Sequence, residues 1–196
     1  EALKLMESLL HRLPHGSGVI VTIDSYPSYS DGSTLGVDGV FGEAISLVFC
    51  EAESATKRQY TFALNCEPKN GDVIRFDQRE SKLIIDGPGL VEFVRRDVPA
   101  CIQDALNAAQ ISLKDVKHAI CHQGSKFIVD ALNAGCATSK FSFNANNTGN
   151  TNSSSIPLIL EPLIAEQEGL TDNHSPLLLV AFGVGSRCIA CVIKSD

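Results

Sequence analysis

Two near-continuous apolar runs close this chain, "PLLLVAF" at 176–182 and "RCIACVI" at 187–193, and they constrain it most. A strand that is apolar at successive positions sends hydrophobic side chains to both faces of its sheet, so the sheet must be covered on both sides. Helical periodicity supplies the covers. Leu90, Phe93, Val94, Val98, Cys101, Ile102, Ala105 and Leu106 recur on one face of a long helix that opens at "DGPG". "SKFIVDALNAG" reads as a helix ended by Gly135, and "SIPLILEPLIAEQ" as an apolar helix that Pro162 should kink.

The remaining elements alternate with these. "EALKLMESLLHRL" places Leu3, Met6, Leu9, Leu10 and Leu13 on one helical face, and the chain enters this helix at Glu1 without a cap, as a processed or partial chain would. "GVIVTID" reads as a buried strand, followed by a polar loop at 25–40 and a second strand, "GEAISLVFCEA". "RQYTFALN" is a third strand, residues 65–82 a polar connection, "DVKHAIC" a short strand and "KFSFN" another. Strands alternating with helices imply a layered α/β fold. The order helix, strand, Phe-Gly, strand occurs twice, with Phe41-Gly42 and Phe182-Gly183, which implies two related halves.

Composition excludes several classes. The net charge is −7 without a Lys/Arg-rich segment, so no nucleic-acid partner is expected. No apolar run reaches the roughly 18 residues of a membrane span. The seven cysteines are odd in number and lie mostly in apolar runs, as reduced thiols of a cytoplasmic protein do. Cys188 and Cys191 form a C-x-x-C, but no second pair completes a zinc site.

Three junctions hold candidate chemistry. His122, in "AICHQGSKF", lies where a strand ends and a helix begins, the place where open α/β sheets build their sites. A helix-capping His fits that position equally well. "NNTGNTNSSSIP", 146–157, joins a strand to an apolar helix: Gly149 permits an unusual backbone shape, Ser153, Ser154 or Ser155 can cap the helix, and Asn150 is held in the turn with its amide able to donate. Such a corner also exists without catalysis. In "AFGVGSR", Phe182, Gly183, Val184 and Gly185 lie between two strands, either as a hairpin turn or as a loop whose backbone approaches a ligand.

Taken in order, "HAICHQGSKFIVDAL", "TGNTNSSSIPLIL" and "PLLLVAFGVGSRCIACVIK" resemble the C-terminal half of thiolase-fold condensing enzymes, the ketoacyl-acyl-carrier-protein synthase III family in particular. The family's His-Gln-Ala-Asn stretch matches 122–125, its Gly-Asn-Thr corner 149–155, and its Phe-Gly-x-Gly loop 182–185. "IIDGPGLVEFV" and "GVFGEAISLVF" extend the likeness upstream.

The resemblance implies a layered α-β-α-β-α thiolase-like fold, with one complete C-terminal half plus part of the N-terminal half. Residues 1–64 would end the first half, 65–82 connect, and 83–196 form the second. It implies that His122 and Asn150 hydrogen-bond a malonyl thioester carbonyl during decarboxylation. The Val184 N–H would serve the oxyanion of acyl transfer. The nucleophilic Cys is expected just before Glu1, because Cys121 ends a strand and has no helix N-terminus to lower its pKa. Substrates are acyl-CoA or acyl-carrier-protein thioesters, with no metal or other cofactor and a homodimer or heterodimer as assembly. A non-catalytic partner subunit, or acyl transfer to an oxygen or nitrogen nucleophile, are the alternatives. The chain departs from the family at Gly124, at Ser125, at Phe127, where an Arg for carrier docking is usual, and at Glu43-Ala44.

Overall fold

The computed structural model describes residues 1–13, 15–25, 39–52, 58–66, 73–77, 79, 82–165 and 176–195. The first elements are α1 (Ala2–Leu10), β1 (Ser17–Asp24), β2 (Ala44–Glu51), β3 (Arg58–Cys66), β4 (Ile74–Asp77) and β5 (Lys82–Ile85). They are followed by α2 (Gly87–Ala108), β6 (His118–Cys121), α3 (Lys126–Gly135), a 3₁₀ turn at Asn152–Ser154, α4 (Ser155–Ala165), β7 (Leu177–Gly183) and β8 (Arg187–Ser195).

The apolar runs form the centre of a four-stranded sheet of order β3-β8-β7-β6. β8 is antiparallel to both neighbours, and β6 is parallel to β7. Strand β7 is covered on both faces as its sequence requires. Leu178, Val180 and Phe182 join the core formed with α2 and α3, while Leu177 and Leu179 meet Ile156, Ile159, Leu160 and Leu163 of α4 and Leu3 of α1. Residues β1 and β2 pair antiparallel as a separate ribbon, and α4 also lies against β2. The described layers therefore run helix, sheet, helix, sheet.

Four sequence expectations change. "KFSFN" forms one bridge, Ala119 to Phe141, instead of a strand. Side-chain amides take its backbone groups: Asn133 bonds both the N–H and the C=O of Phe141, and Gln123 bonds the Ser142 C=O and the Asn144 N–H. The 65–82 connection contains strand β4 and the start of β5, which pair as a two-stranded ladder. Strand β3, most of which precedes residue 65, hydrogen-bonds along its full length to β8 of the second-half sheet.

"GVIVTID" is buried on one face only. Val19, Val21 and Ile23 stand opposite Phe49, Leu47 and Ile45 on an exposed outer face, where Phe49 is 76% accessible. The loop expectation for 25–40 falls mostly outside the described residues. Among the described residues no helix is long and apolar enough to cross a membrane.

Candidate active site

His122 follows the last residue of β6, and its N–H bonds the Val180 carbonyl, which extends the β6–β7 ladder by one residue. Ser125 caps α3, with its hydroxyl accepting from the Ile128 N–H at 3.3 Å. The intervening Gly124 leaves room beside the ring. A Cβ placed there would lie 3.7 Å from His122 Nε2 and 3.6 Å from an Ile128 methyl. Phe182 meets the imidazole edge to face, with centroids 5.3 Å apart and planes at 89°. Desolvation pushes the imidazole down to about 4, against smaller opposing contributions from the Asn152 backbone and the Asp24 charge. The ring is therefore neutral at neutral pH.

The Asn150 corner is sewn to the other sheet. Asn150 N–H bonds the Val40 carbonyl at 2.7 Å, and Gly42 N–H bonds the Asn150 carbonyl at 3.0 Å. Gly149 has φ +66°, which glycine adopts without steric cost. Contact with 40–42 is so close that a Cβ on Gly42 would fall 1.7 Å from the Thr148 carbonyl oxygen. The first Phe-Gly is thus the backbone cradle of Asn150, a role with no local sequence signal.

A single peptide unit links the two side chains. The Asn152 N–H donates to Asn150 Oδ1 at 3.0 Å, which leaves the Asn150 NH₂ group as a donor. The Asn152 carbonyl accepts from Ser155 Oγ at 2.8 Å, and Ser155 Oγ lies 3.1 Å from His122 Nδ1. Asn152 itself has φ +43°, a left-handed backbone that asparagine tolerates. Asp24, at the end of β1, fixes the same turn from below, accepting from Ser153 Oγ, from Ser154 N–H and from Ser154 Oγ.

The third predicted stretch separates into parts. Phe182 belongs to the His122 wall, whereas Val184 and Gly185 lie in the β7–β8 hairpin turn beyond Gly183, with Val184 exposed. Gly185 has φ +78° and its N–H reaches the Ile74 carbonyl at 3.4 Å.

The seven thiols are all free. Burial pushes Cys121 and Cys191 up to about 12 and Cys136 up to about 11. Cys101 and Cys188 lie close together under α2; their mutual bond lowers the former and raises the latter. Both are buried in the core with α2 and β8. Among the described residues no His/Cys/Asp/Glu group is suited to a metal.

A cavity of about 840 Å³ lies between the starts of α2 and α3, lined by Val91, Arg95, Phe127 and Ile128 among others. Ile128 also borders Gly124, two residues beyond His122. Of the cavity's lining charges, Arg96 bonds Glu92 and, outside the lining, Asp97; beside the cavity Lys126 bonds Asp130.

Residues 106–195 match the family described as 3-oxoacyl-[acyl-carrier-protein (ACP)] synthase III C terminal. The second half of the chain is thus similar to the C-terminal part of ketoacyl synthase III proteins. Curated beta-ketoacyl-[acyl-carrier-protein] synthase III proteins of the family are similar along nearly all of the chain. That of Streptococcus uberis is 25% identical over 98% of this chain and 64% of its own length, and that of Clostridium tetani 29% over 91% and 51%. A crystal structure of 3-oxoacyl-[acyl-carrier-protein] synthase III from Aquifex aeolicus superposes with TM-score 0.87 at 19% identity, covering 98% of this chain and 62% of that one. The chain thus has the thiolase-like fold and spans between half and two thirds of the relatives' length.

Proposed function

We propose that this chain carries the malonyl-decarboxylating side of a condensing acyltransferase of the ketoacyl synthase III type. The observation that carries the reading is the Asn152 peptide unit, which holds Asn150 Oδ1 on one side and, through Ser155, His122 on the other. Two neutral donors so tied suit a thioester carbonyl oxygen on which negative charge develops. As the malonyl C–C bond breaks and carbon dioxide leaves, the electron pair is held as an enolate. The enolate carbon then attacks an acyl-thioester carbonyl, and the enzyme thiolate departs. The relatives named as beta-ketoacyl synthases support this assignment.

The acyl-carrying thiol comes from outside this segment. The most deeply placed thiol near His122 is Cys121, and burial at about 12 keeps it protonated and inert. Coenzyme A or acyl-carrier-protein thioesters are the substrates, entering by the cavity beside Ile128, and the Val184 loop lies on the acyl-transfer side. Neither a metal nor a redox cofactor has a step in this chemistry. The assembly is a dimer in the cytoplasm, in line with seven unpaired thiols.

The test uses the full-length protein and radiolabelled malonyl thioester. His122→Ala and Asn150→Ala should each slow carbon dioxide release about 10²–10³-fold while thiol acylation continues. Decarboxylation at the native rate in both variants would remove the assignment.

A further inference from the structure

Asp24 closes β1, cross-strand from Ala44 of β2, and reaches over to the turn that joins Asn150 to α4. Its Oδ2 accepts from Ser153 Oγ and, at 3.3 Å each, from the Ser154 N–H and Ser154 Oγ. A carboxylate only accepts, so the Ser154 hydrogen points to Asp24, with the Ala44 carbonyl as a second acceptor at 3.5 Å. The Ser154 oxygen then receives from Thr22 Oγ1 at 2.7 Å, and Thr22 receives from Ser46 Oγ. Three hydroxyls, from β2, β1 and the turn, thus point one way toward a single carboxylate, and each strengthens the next. Ser154 is fully buried, so a break in the chain leaves polar groups unpaired away from water.

The turn needs such a hold. Asn152 has φ +43°, a backbone that a residue other than glycine keeps only where its surroundings enforce it. The next two residues, Ser153 and Ser154, are the ones Asp24 grips. Asn152 in turn donates its N–H to Asn150 Oδ1 at 3.0 Å. We propose that Asp24 is a positioning residue for malonyl decarboxylation: it holds the 152–154 turn in the shape that keeps the Asn152 N–H on Asn150 Oδ1, so that the Asn150 NH₂ stays aimed as a donor. Without Asp24 the Asn152 backbone relaxes, its N–H leaves Oδ1, and the Asn150 amide is free to rotate. The ends of the turn stay put. The Asn150 backbone is fixed separately by Val40 and Gly42, and α4 by its apolar packing on β7. The proposal rests on the functional reading for its effect on the reaction; the hold of Asp24 on the turn follows from the hydrogen bonds alone.

In the full-length protein, Asp24→Ala should slow carbon dioxide release about 10²-fold in kcat, the cost of a misplaced reacting group, with KM for the malonyl thioester little changed. Asp24→Asn, which still offers an accepting oxygen to Ser153 and Ser154, should recover most of the rate; a variant as slow as Asp24→Ala overturns the proposal. The deciding comparison repeats Asp24→Ala in an Asn150→Ala background. There the further loss should shrink to less than about fivefold, because residues that act through one another are not additive. An equal loss in both backgrounds also overturns the proposal and leaves Asp24 a support of the fold alone. Amide exchange at Asn152 reads the hold without activity: it should quicken about tenfold in Asp24→Ala, the worth of one hydrogen bond, and unchanged exchange removes the hold itself. If Asp24→Ala does not fold, Ser153→Ala, at an exposed position, removes one of the three bonds and should show the same pattern at smaller size. No change there in rate or exchange counts equally against it. If exchange responds as expected but Asn150→Ala decarboxylates at the native rate, the functional reading fails and the hold of Asp24 on the turn remains.

Discussion

The two sheets of this molecule use similar strands differently. Strand β7 is apolar at successive positions and buried on both faces, between α2 and α3 on one side and α4 on the other. Strand β1 also reads "GVIVTID", yet its Val19, Val21 and Ile23 stand exposed opposite Phe49, Leu47 and Ile45. The site spans both regions. His122 grows from the doubly covered sheet, whereas Asn150 is cradled by residues 40–42, which lead into the ribbon. One side chain is placed by a rigid core, and the other by backbone contacts to a singly covered layer.

The widest contrast lies in the cores. Leu178→Ala, at a fully buried position, should cost about 2–5 kcal/mol in denaturant unfolding. A loss under about 1 kcal/mol would mean that the sheet tolerates a cavity and that the difference between the regions is only apparent.

Next comes the pH response of the His122 side. Its folded pKa of about 4 lies below the ordinary value near 6.5. Between these values the unfolded chain binds more protons, so stability is full above about pH 6.5 and falls as pH drops through about 4. The span is worth up to about 3 kcal/mol. His122→Asn should flatten this part of a stability–pH curve, and an unchanged curve would show that another group titrates there.

On the Asn150 side the lever is steric. Gly42→Ala drives a methyl into the Thr148 carbonyl and should cost about 1–3 kcal/mol. Amide exchange at Asn150 and Gly42 should quicken with it. Gly183→Ala, with open space around its Cβ, should change stability by less than about 0.5 kcal/mol.

The smallest effect belongs to the outer ribbon face. Leu47→Ala should change stability by less than about 0.5 kcal/mol while that face meets solvent. A loss above about 2 kcal/mol in the full-length protein would show the face covered, and the two sheets would then be equivalent.

Much of the backbone around the candidate site was readable from the chain because its signals are local. His122 at a strand end and Gly149 before Asn150 each declare a backbone junction, whereas α3 is capped by Ser125 and not by the His122 that the sequence offered for it. Gln123, Asn133 and Asn152 were not readable in the same way. Gln123 and Asn133 replace a strand ladder at 141–144 with side-chain amides from elsewhere in the chain. Asn152 joins Asn150 to Ser155 through a left-handed backbone. Phe41-Gly42 looked like half of a repeat and proved to be the Asn150 cradle.

The sequence by itself determined the period of most elements, the sheet that had to be covered twice, and the two junctions that bear Asn150 and His122. Those follow from side-chain spacing and backbone preference, which act within a few residues. Only the tertiary structure decided that β3 joins the second sheet, that one face of β1 and β2 remains exposed, and that His122 and Asn150 are linked through the Asn152 peptide unit and Ser155. Each depends on contacts between distant segments, and burial and hydrogen bonding of that kind have no local code.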